Sequence, residues 1–230
     1  MNNISDVFFD LDRTLWDFDY NAHKTLIDIY KNFNLQEFNI DLKQFIDRYT
    51  FHNERLWSLY RNNKISKSLL RSERFGLTLN EFSVDNNDLA VKIGDEYIKK
   101  CPLQTTLFPF AIEILNYLKN KYKLHIITNG FDEVQHIKLK ASGLTHFFNE
   151  IVTSEKVDVK KPDPKIFNYA LTKAKTTSVK SIMIGDDLPV DILGAKQVGM
   201  SQIYFNPDKK NHNEKIDYEI SSLDQIKDIL

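Results

Sequence analysis

One cysteine, Cys101, is all the chain has, so no internal disulfide can form, which fits a reducing compartment. No CxxC pair or His/Cys cluster points to zinc. No apolar run approaches the roughly 20 residues needed to cross a bilayer. The N-terminus has neither the basic start nor the long apolar stretch of a signal peptide. Charge of one sign is missing too: 31 Lys and Arg stand against 32 Asp and Glu, a formal net charge of -1. Nothing there pulls the chain toward nucleic acid or a membrane surface. There is no internal repeat and no low-complexity segment. These absences leave a cytoplasmic protein with neither a membrane nor a nucleic-acid polymer as partner; its oligomeric state is not set by the sequence. What is present is core-forming: 42% hydrophobic and 12% aromatic content over 230 residues, enough for one large domain or two small ones.

The rest of the chain is organised around Val7-Phe8-Phe9-Asp10-Leu11-Asp12-Arg13-Thr14-Leu15. An apolar run ends in two acids one residue apart. Residues i and i+2 of a strand share a face, and apolar residues on both faces indicate burial on both sides, as in a parallel sheet. Two carboxylates at the mouth of a buried strand repel unless a cation sits between them, one is protonated, or one turns away. The same pattern is compatible with an edge strand running into a solvated acidic turn.

Downstream, residues 17 to 100 show helical spacing and few strand signals: Leu26, Ile29, Tyr30 and Phe33, then Leu42, Phe45, Ile46 and Tyr49, then Leu56, Trp57 and Tyr60. Beyond Leu107 helices and short β-rich runs alternate. Pro109 is expected in the first turn of a helix carrying Ala111, Ile114, Leu115 and Leu118. Runs at 124–128, 150–153, 181–184 and 202–205 read as strands, and 134–141, 164–174 and 189–198 as helices. This alternation predicts an α/β fold, a doubly wound Rossmann-like parallel sheet. Its core would be residues 1–15 and 101–230, with an inserted α-helical cap over residues 16–100.

Ligands of open α/β sheets bind outside the carboxyl ends of the strands. Four predicted strands deliver polar groups there: Asp10 and Asp12, then Thr128-Asn129-Gly130, then Lys160-Lys161-Pro162-Asp163-Pro164, then Gly185-Asp186-Asp187. A carboxylate can attack phosphorus and form an aspartyl-phosphate. A second acid two residues on can protonate the leaving oxygen and then activate water. A further acid completes an oxygen-rich Mg²⁺ site. A threonine hydroxyl and backbone N–H groups bind phosphoryl oxygens, and a lysine neutralises developing charge. Asp186 or Asp191 is equally able to cap a helix.

Asp10-Leu11-Asp12-Arg13-Thr14-Leu15, Thr128-Asn129-Gly130, Lys161-Pro162-Asp163-Pro164 and Gly185-Asp186-Asp187-Leu188-Pro189-Val190-Asp191 resemble, in order, the four motifs of the haloacid dehalogenase-like hydrolase superfamily. The helical insert resembles the superfamily's type 1 cap. The resemblance implies Asp10 as nucleophile and Asp12 as general acid and base. It makes Thr128 and Asn129 phosphate-binding and Lys161 charge-stabilising. Mg²⁺ would be held by Asp10, the Asp12 carbonyl and Asp186, with Asp191 supporting, as by orienting Lys161. Asp187 stands where many relatives have Ser, and Arg13 departs from the usual small or acidic residue. Leu15-Trp16-Asp17-Phe18, Asn129-Gly130-Phe131, Glu133-Val134-Gln135 and Ser142-Gly143-Leu144 resemble a narrower branch, the pyrimidine 5′-nucleotidases that accept non-standard pyrimidine nucleotides. The implied substrate is a small phosphate ester, a nucleoside 5′-monophosphate such as UMP, dUMP or dTMP.

Residues 48–75 carry seven basic against two acidic residues, a net charge of +5. They form either a surface for an anionic substrate or a solvated helix face. Trp16, His52, Asn53 and Arg71 are the candidates for base or sugar contacts, against a packing role for each. The competing readings are a phosphatase of another small phosphate such as phosphoglycolate or a sugar phosphate, a sugar phosphomutase, a haloacid dehalogenase, and a silent nucleotide-binding module.

Overall fold

The run that opens the chain is buried on both faces, as its composition requires. In the computed structural model, which describes residues 3–230, Asp6–Phe9 forms strand β1, with every residue buried. It lies inside a six-stranded sheet in which all the pairings are parallel. The other strands are β2 (Lys123–Thr128), β3 (Glu150–Thr153), β4 (Ser181–Gly185), β5 (Ser201–Phe205) and β6 (Tyr218–Ile220). The order is β3-β2-β1-β4-β5-β6. The chain builds outward from β1 to β3, then crosses back to add β4 on the other side of β1. Phe9 sits between Ile126 of β2 and Ile184 of β4. The reversal of direction lies between β1 and β4, and a crevice opens outside the carboxyl ends of strands at such a point.

The described chain divides into two compact units, Met1–Phe18 with Thr105–Leu230, and Asp19–Gln104. The division falls three or four residues later than the sequence boundary, for a reason visible in the first unit. Trp16 bridges both Asp12 and Leu107, Asp17 N–H donates to the Thr106 carbonyl and Phe108 N–H to the Leu15 carbonyl. The outgoing and returning segments are thus hydrogen-bonded to each other.

The second unit is helical: α1 (Phe18–Asn32, from Asp19 onward), α2 (Leu42–Arg61), α3 (Lys67–Asn80) and α4 (Asn87–Lys100). Asp41, Ser66 and Asn86 cap α2, α3 and α4 by accepting from the backbone N–H of Gln44, Leu69 and Leu89. Tyr49, Phe75 and Tyr97 form its aromatic centre, with ring centroids 4.9 to 5.5 Å apart. Arg74, counted above with the basic surface, is buried over the Tyr97 ring at 4.6 Å, so it does not belong to an exposed face.

In the first unit, helix α5 is Ala111–Leu118 and Pro109 precedes it, because Phe110 takes a left-handed conformation at φ 67° and starts the helix one residue later. Helix α6 is Asp132–Ala141, α7 is the short Ser154–Val157 and α8 is Pro164–Ala174. The expected helix over 189–198 is instead a π-type turn, Leu188–Ile192, followed by α9, Leu193–Gln197. Helix α8 covers one face of the sheet: Ile166, Phe167, Ala170 and Leu171 pack on Phe8, Ile127, Val152 and Met183. No helix among the described residues is long and apolar enough to cross a membrane.

One polar pair lies within the sheet. His125 of β2 stacks on Phe8 with centroids 4.6 Å apart, and its Nε2 lies 3.0 Å from Asp6 Oδ1. Burial lowers the His125 pKa more than the Asp6 contact raises it. Burial raises the Asp6 carboxyl, but hydrogen bonds from Ser5 and His125 outweigh that and leave it below its usual value. Both folded values are depressed, so both groups stabilise the fold above their unfolded pKa, about 6.5 and 3.9. That stability is lost as pH falls, first below about 6.5 for His125. The urea midpoint is expected to drop between pH 7.5 and 5, and the drop to be smaller in His125→Phe. An unchanged pH slope in that variant would assign the acid sensitivity elsewhere.

Candidate active site

Asp10, Lys161, Asp186 and Asp191 come together outside the carboxyl ends of β1 and β4. Asp10 follows β1, and its N–H continues the ladder by donating to the Ile184 carbonyl at 2.9 Å. Asp186 follows β4 directly. Thr128 ends β2, and its Oγ1 accepts from Gly130 N–H at 3.1 Å. Asn129 ties the Lys161 loop to the end of β2: its Nδ2 donates to the Lys161 carbonyl at 3.0 Å and its Oδ1 accepts from Lys161 N–H at 2.8 Å. The Asn129 side chain is thereby used in placing Lys161.

Lys161 is the centre of the site. It is buried, and its Nζ lies 2.6 Å from Asp10 Oδ1, 2.6 Å from Asp191 Oδ1 and 2.7 Å from the Ile127 carbonyl. A lysine carries three donors, and this one has three oxygens. Asp10, Asp186 and Asp191 each offer an oxygen, all within 4.8 Å of one another. Thr14 Oγ1 donates to Asp186 Oδ1 at 3.2 Å. Three acids against one buried lysine leave an excess of negative charge, and the pKa directions follow. Burial, offset in part by Lys161, pushes Asp10 up to about 7. Burial and the charges of Asp191 and Asp10 hold Asp186 well above the usual carboxylate range. Burial also raises Asp191. Although burial disfavours the ammonium, Asp10 and Asp191 more than compensate and raise Lys161. A hard divalent cation suits this donor set: closely placed carboxylate oxygens whose surplus charge it would neutralise.

The remaining sequence candidates separate. Asp187, not Asp186 or Asp191, is the capping acid: its Oδ1 accepts from Val190 N–H at 3.1 Å. Asp191, on the π-type turn, also accepts from Asp187 N–H through Oδ2 at 3.2 Å. Arg13, at φ 63°, lies over the Phe18 ring at 4.9 Å. Trp16 is fully buried in the first unit with the Lys138 ammonium 4.2 Å from its ring centroid, the packing role that stood as the alternative to base contact. His52, Asn53 and Arg71 belong to the second unit. His52 and Asn53 are buried there, and His52 Nε2 lies 3.1 Å from Glu81 Oε1.

The partners of Asp12 were not visible as such in the sequence. Lys138 Nζ lies 2.5 Å from its Oδ1, and Gln135 Nε2 donates to its Oδ2 at 2.8 Å. Both come from α6, three residues apart and so on one helix face. The available signal was a Lys and a Gln on the inward face of the helix that starts just past Thr128-Asn129-Gly130.

Two glycines make room for these contacts. A Cβ on Gly130 would lie 1.5 Å from Gln135 Nε2, and one on Gly185 would lie 2.3 Å from Asp191 Oδ2 and 2.6 Å from its Cγ. Gly185→Ala is therefore expected to push Asp191 off Lys161 and to cost about 1–3 kcal/mol, the usual penalty of overpacking, read as a lower urea midpoint. Gly76→Ala, with nothing within 4 Å of the added methyl on helix α3, is the control. It is expected to stabilise by about 0.5–1 kcal/mol. Equal midpoints for the two variants would contradict the packing account.

A family model for haloacid dehalogenase-like hydrolases matches residues 7–205. The chain belongs to that family. It is 31% identical over 229 residues to the pyrimidine 5′-nucleotidase YjjG of Escherichia coli, with 97% of this chain and 96% of that protein aligned. It is 30% identical to the pyrimidine 5′-nucleotidase PynA of Streptococcus pneumoniae, covering 97% and 94%. A solved structure of YfnB from Bacillus subtilis, bound to magnesium, matches with a TM-score of 0.88 and 27% identity over 99% of this chain and 98% of that one. The chain is thus an enzyme of the haloacid dehalogenase-like family, a phosphatase by the relatives that match its full length.

Proposed function

We propose that this enzyme is a Mg²⁺-dependent phosphomonoesterase that hydrolyses pyrimidine nucleoside 5′-monophosphates through an aspartyl-phosphate on Asp10. The observation that carries the reading is the convergence of Asp10, Asp186, Asp191 and Lys161 at the β1/β4 crevice. The nucleotide class rests on likeness to two pyrimidine 5′-nucleotidases over nearly the whole chain. Asp10, Asp186 and the Asp12 carbonyl would hold the ion, which when bound draws charge from the phosphoryl oxygens and offsets the surplus of carboxylates.

This chain's own residues do the rest. An Asp10 carboxylate oxygen attacks phosphorus while the P–O bond to the nucleoside breaks, and Asp12 gives its proton to the departing 5′-oxygen. Asp12, now a carboxylate, takes a proton from water as the water oxygen attacks the same phosphorus. The P–O bond to Asp10 breaks, and inorganic phosphate leaves. Thr128 Oγ1 and the N–H groups beside it bind phosphoryl oxygens. Lys161, held by Asp191 and the Ile127 carbonyl, neutralises charge as it develops. The helical unit, residues 19–104, is the cap in this reading. A cytoplasmic setting fits a chain whose one cysteine, Cys101, is buried and in no disulfide.

The test is phosphate release from UMP, dUMP, dTMP, AMP, phosphoglycolate and sugar phosphates, with Mg²⁺ and with EDTA. The expected result is highest kcat/KM on a pyrimidine nucleotide and loss of turnover in EDTA. Preference for phosphoglycolate or a sugar phosphate would replace the substrate class, and full turnover in EDTA would refute the metal.

A further inference from the structure

Lys138 is an unusual lysine. It lies on α6, yet its side chain is only 5% exposed, whereas helix lysines ordinarily reach water. Its stem passes Trp16 and Phe18, with the ammonium 4.2 and 5.5 Å from their ring centroids. The carboxylate facing it is that of Asp12, whose side chain is 26% exposed and therefore keeps an open side. Gln135 takes the other Asp12 oxygen, and the Gln135 amide is itself seated against Gly130, where a Cβ would lie 1.5 Å away. The backbone under Asp12 is fixed as well: Arg13 N–H donates to the Trp16 carbonyl and Trp16 N–H to the Leu11 carbonyl, both at 2.9 Å. The two ends of one carboxylate are thus gripped by two side chains that the phosphoryl chemistry does not otherwise use.

We propose that Gln135 and Lys138 are positioning residues that hold the Asp12 carboxyl group at the angle from which it reaches the leaving oxygen of the ester. The inference rests on the proposed role of Asp12 as proton donor and acceptor. A two-point grip on both oxygens fixes the rotation of the carboxyl about its own axis, which a single contact leaves free. The buried ammonium needs a counter-charge, since a buried ion without a partner is destabilising. It therefore keeps Asp12 in place between turnovers, and the aromatic wall of Trp16 and Phe18 keeps the ammonium itself from swinging out.

A positioning role for a proton donor has a signature that a general loss of folding lacks. An ester whose leaving group is a weak base, p-nitrophenyl phosphate, departs without a proton. An alkyl phosphate, or a nucleoside 5′-phosphate, does not. The value of kcat/KM reports steps up to formation of the aspartyl-phosphate, so hydrolysis of that intermediate does not blur the comparison. Lys138→Met, which keeps the stem, is expected to lower kcat/KM for the alkyl or nucleoside ester by about 30- to 100-fold, within the range of a mispositioned general acid. For p-nitrophenyl phosphate the same variant stays within about threefold of wild type. Lys138→Arg is expected to recover most of the loss, and Gln135→Met to show a weaker form of the same asymmetry. In an Asp12→Asn background Lys138→Met should have no further effect, because the group it positions is gone. Equal losses on both esters, an additive loss in the Asp12→Asn background, or a faster alkyl ester in Lys138→Met would each overturn the proposal. Absence of wild-type turnover on both esters would instead overturn the phosphatase reading beneath it.

Discussion

Asp10→Asn is expected to remove activity without weakening the fold. The loss should be at least about 10⁴-fold in kcat, the scale seen when the nucleophile of a covalent mechanism is deleted. Stability should move the other way. Asp10 is one of three acids crowded around one lysine, and burial pushes its carboxyl up to about 7. In the absence of a cation its charge is a liability, which a neutral amide of the same shape relieves. Lys161 keeps Asp191 at 2.6 Å and the Ile127 carbonyl at 2.7 Å in the variant, so the ammonium does not lose its pairing. In EDTA the melting temperature should match wild type or exceed it by up to about 4 °C, the shift that 1 kcal/mol gives in a domain of this size. Added Mg²⁺ should then stabilise wild type more than the variant, since only the intact ligand set gains the full binding energy. A variant that unfolds, or one that retains full turnover, would break the assignment.

Lys161→Met should do the opposite to stability and the same to activity. The substitution keeps the stem and deletes a cation that touches both Asp10 and Asp191. Breaking a buried ion pair from one side costs about 3–5 kcal/mol, because the remaining charge is stranded. The melting temperature should fall on the order of 10 °C, at roughly 2–4 °C per kcal/mol. The loop itself should stay in place, since Asn129 grips the backbone of residue 161 and not its side chain. Turnover should drop by about 10²- to 10³-fold, as when a donor to developing charge is removed. Adding Asp191→Asn to Lys161→Met should restore part of the stability and none of the activity. Recovery of activity in the double variant would mean that Lys161 acts on folding alone.

The sheet was legible because a buried parallel strand is a short apolar run, and Val7-Phe8-Phe9 and Ile182-Met183-Ile184 are such runs. Asp10 and Asp186 stood out because each directly follows a strand, and Lys161 because it leads into the rigid Pro162-Asp163-Pro164 run. Strand β6 was missed because it is three residues long and Tyr218 and Glu219 are exposed, so it shows no alternation. The cap on the π-type turn was ambiguous because Asp186, Asp187 and Asp191 have the same chemistry, and only coordinates show that Asp187 accepts from Val190 N–H. The role of Trp16 stayed open between base contact and packing, because nothing local predicts that an ammonium from residue 138 lies on its ring. The grip on Asp12 was illegible for the same reason: its partners are 123 and 126 residues away in the chain, and a Lys on a helix ordinarily reads as solvated.

The central claim is a covalent bond between Asp10 and phosphorus. The most direct measurement is to mix the enzyme with its best phosphate ester and Mg²⁺, quench within a turnover, reduce with borohydride, and map the peptides by mass spectrometry. An aspartyl-phosphate is reduced to homoserine. The account predicts homoserine at position 10, dependent on substrate and absent in Asp10→Asn. Turnover with residue 10 unmodified, or modification at a different carboxylate, would contradict it.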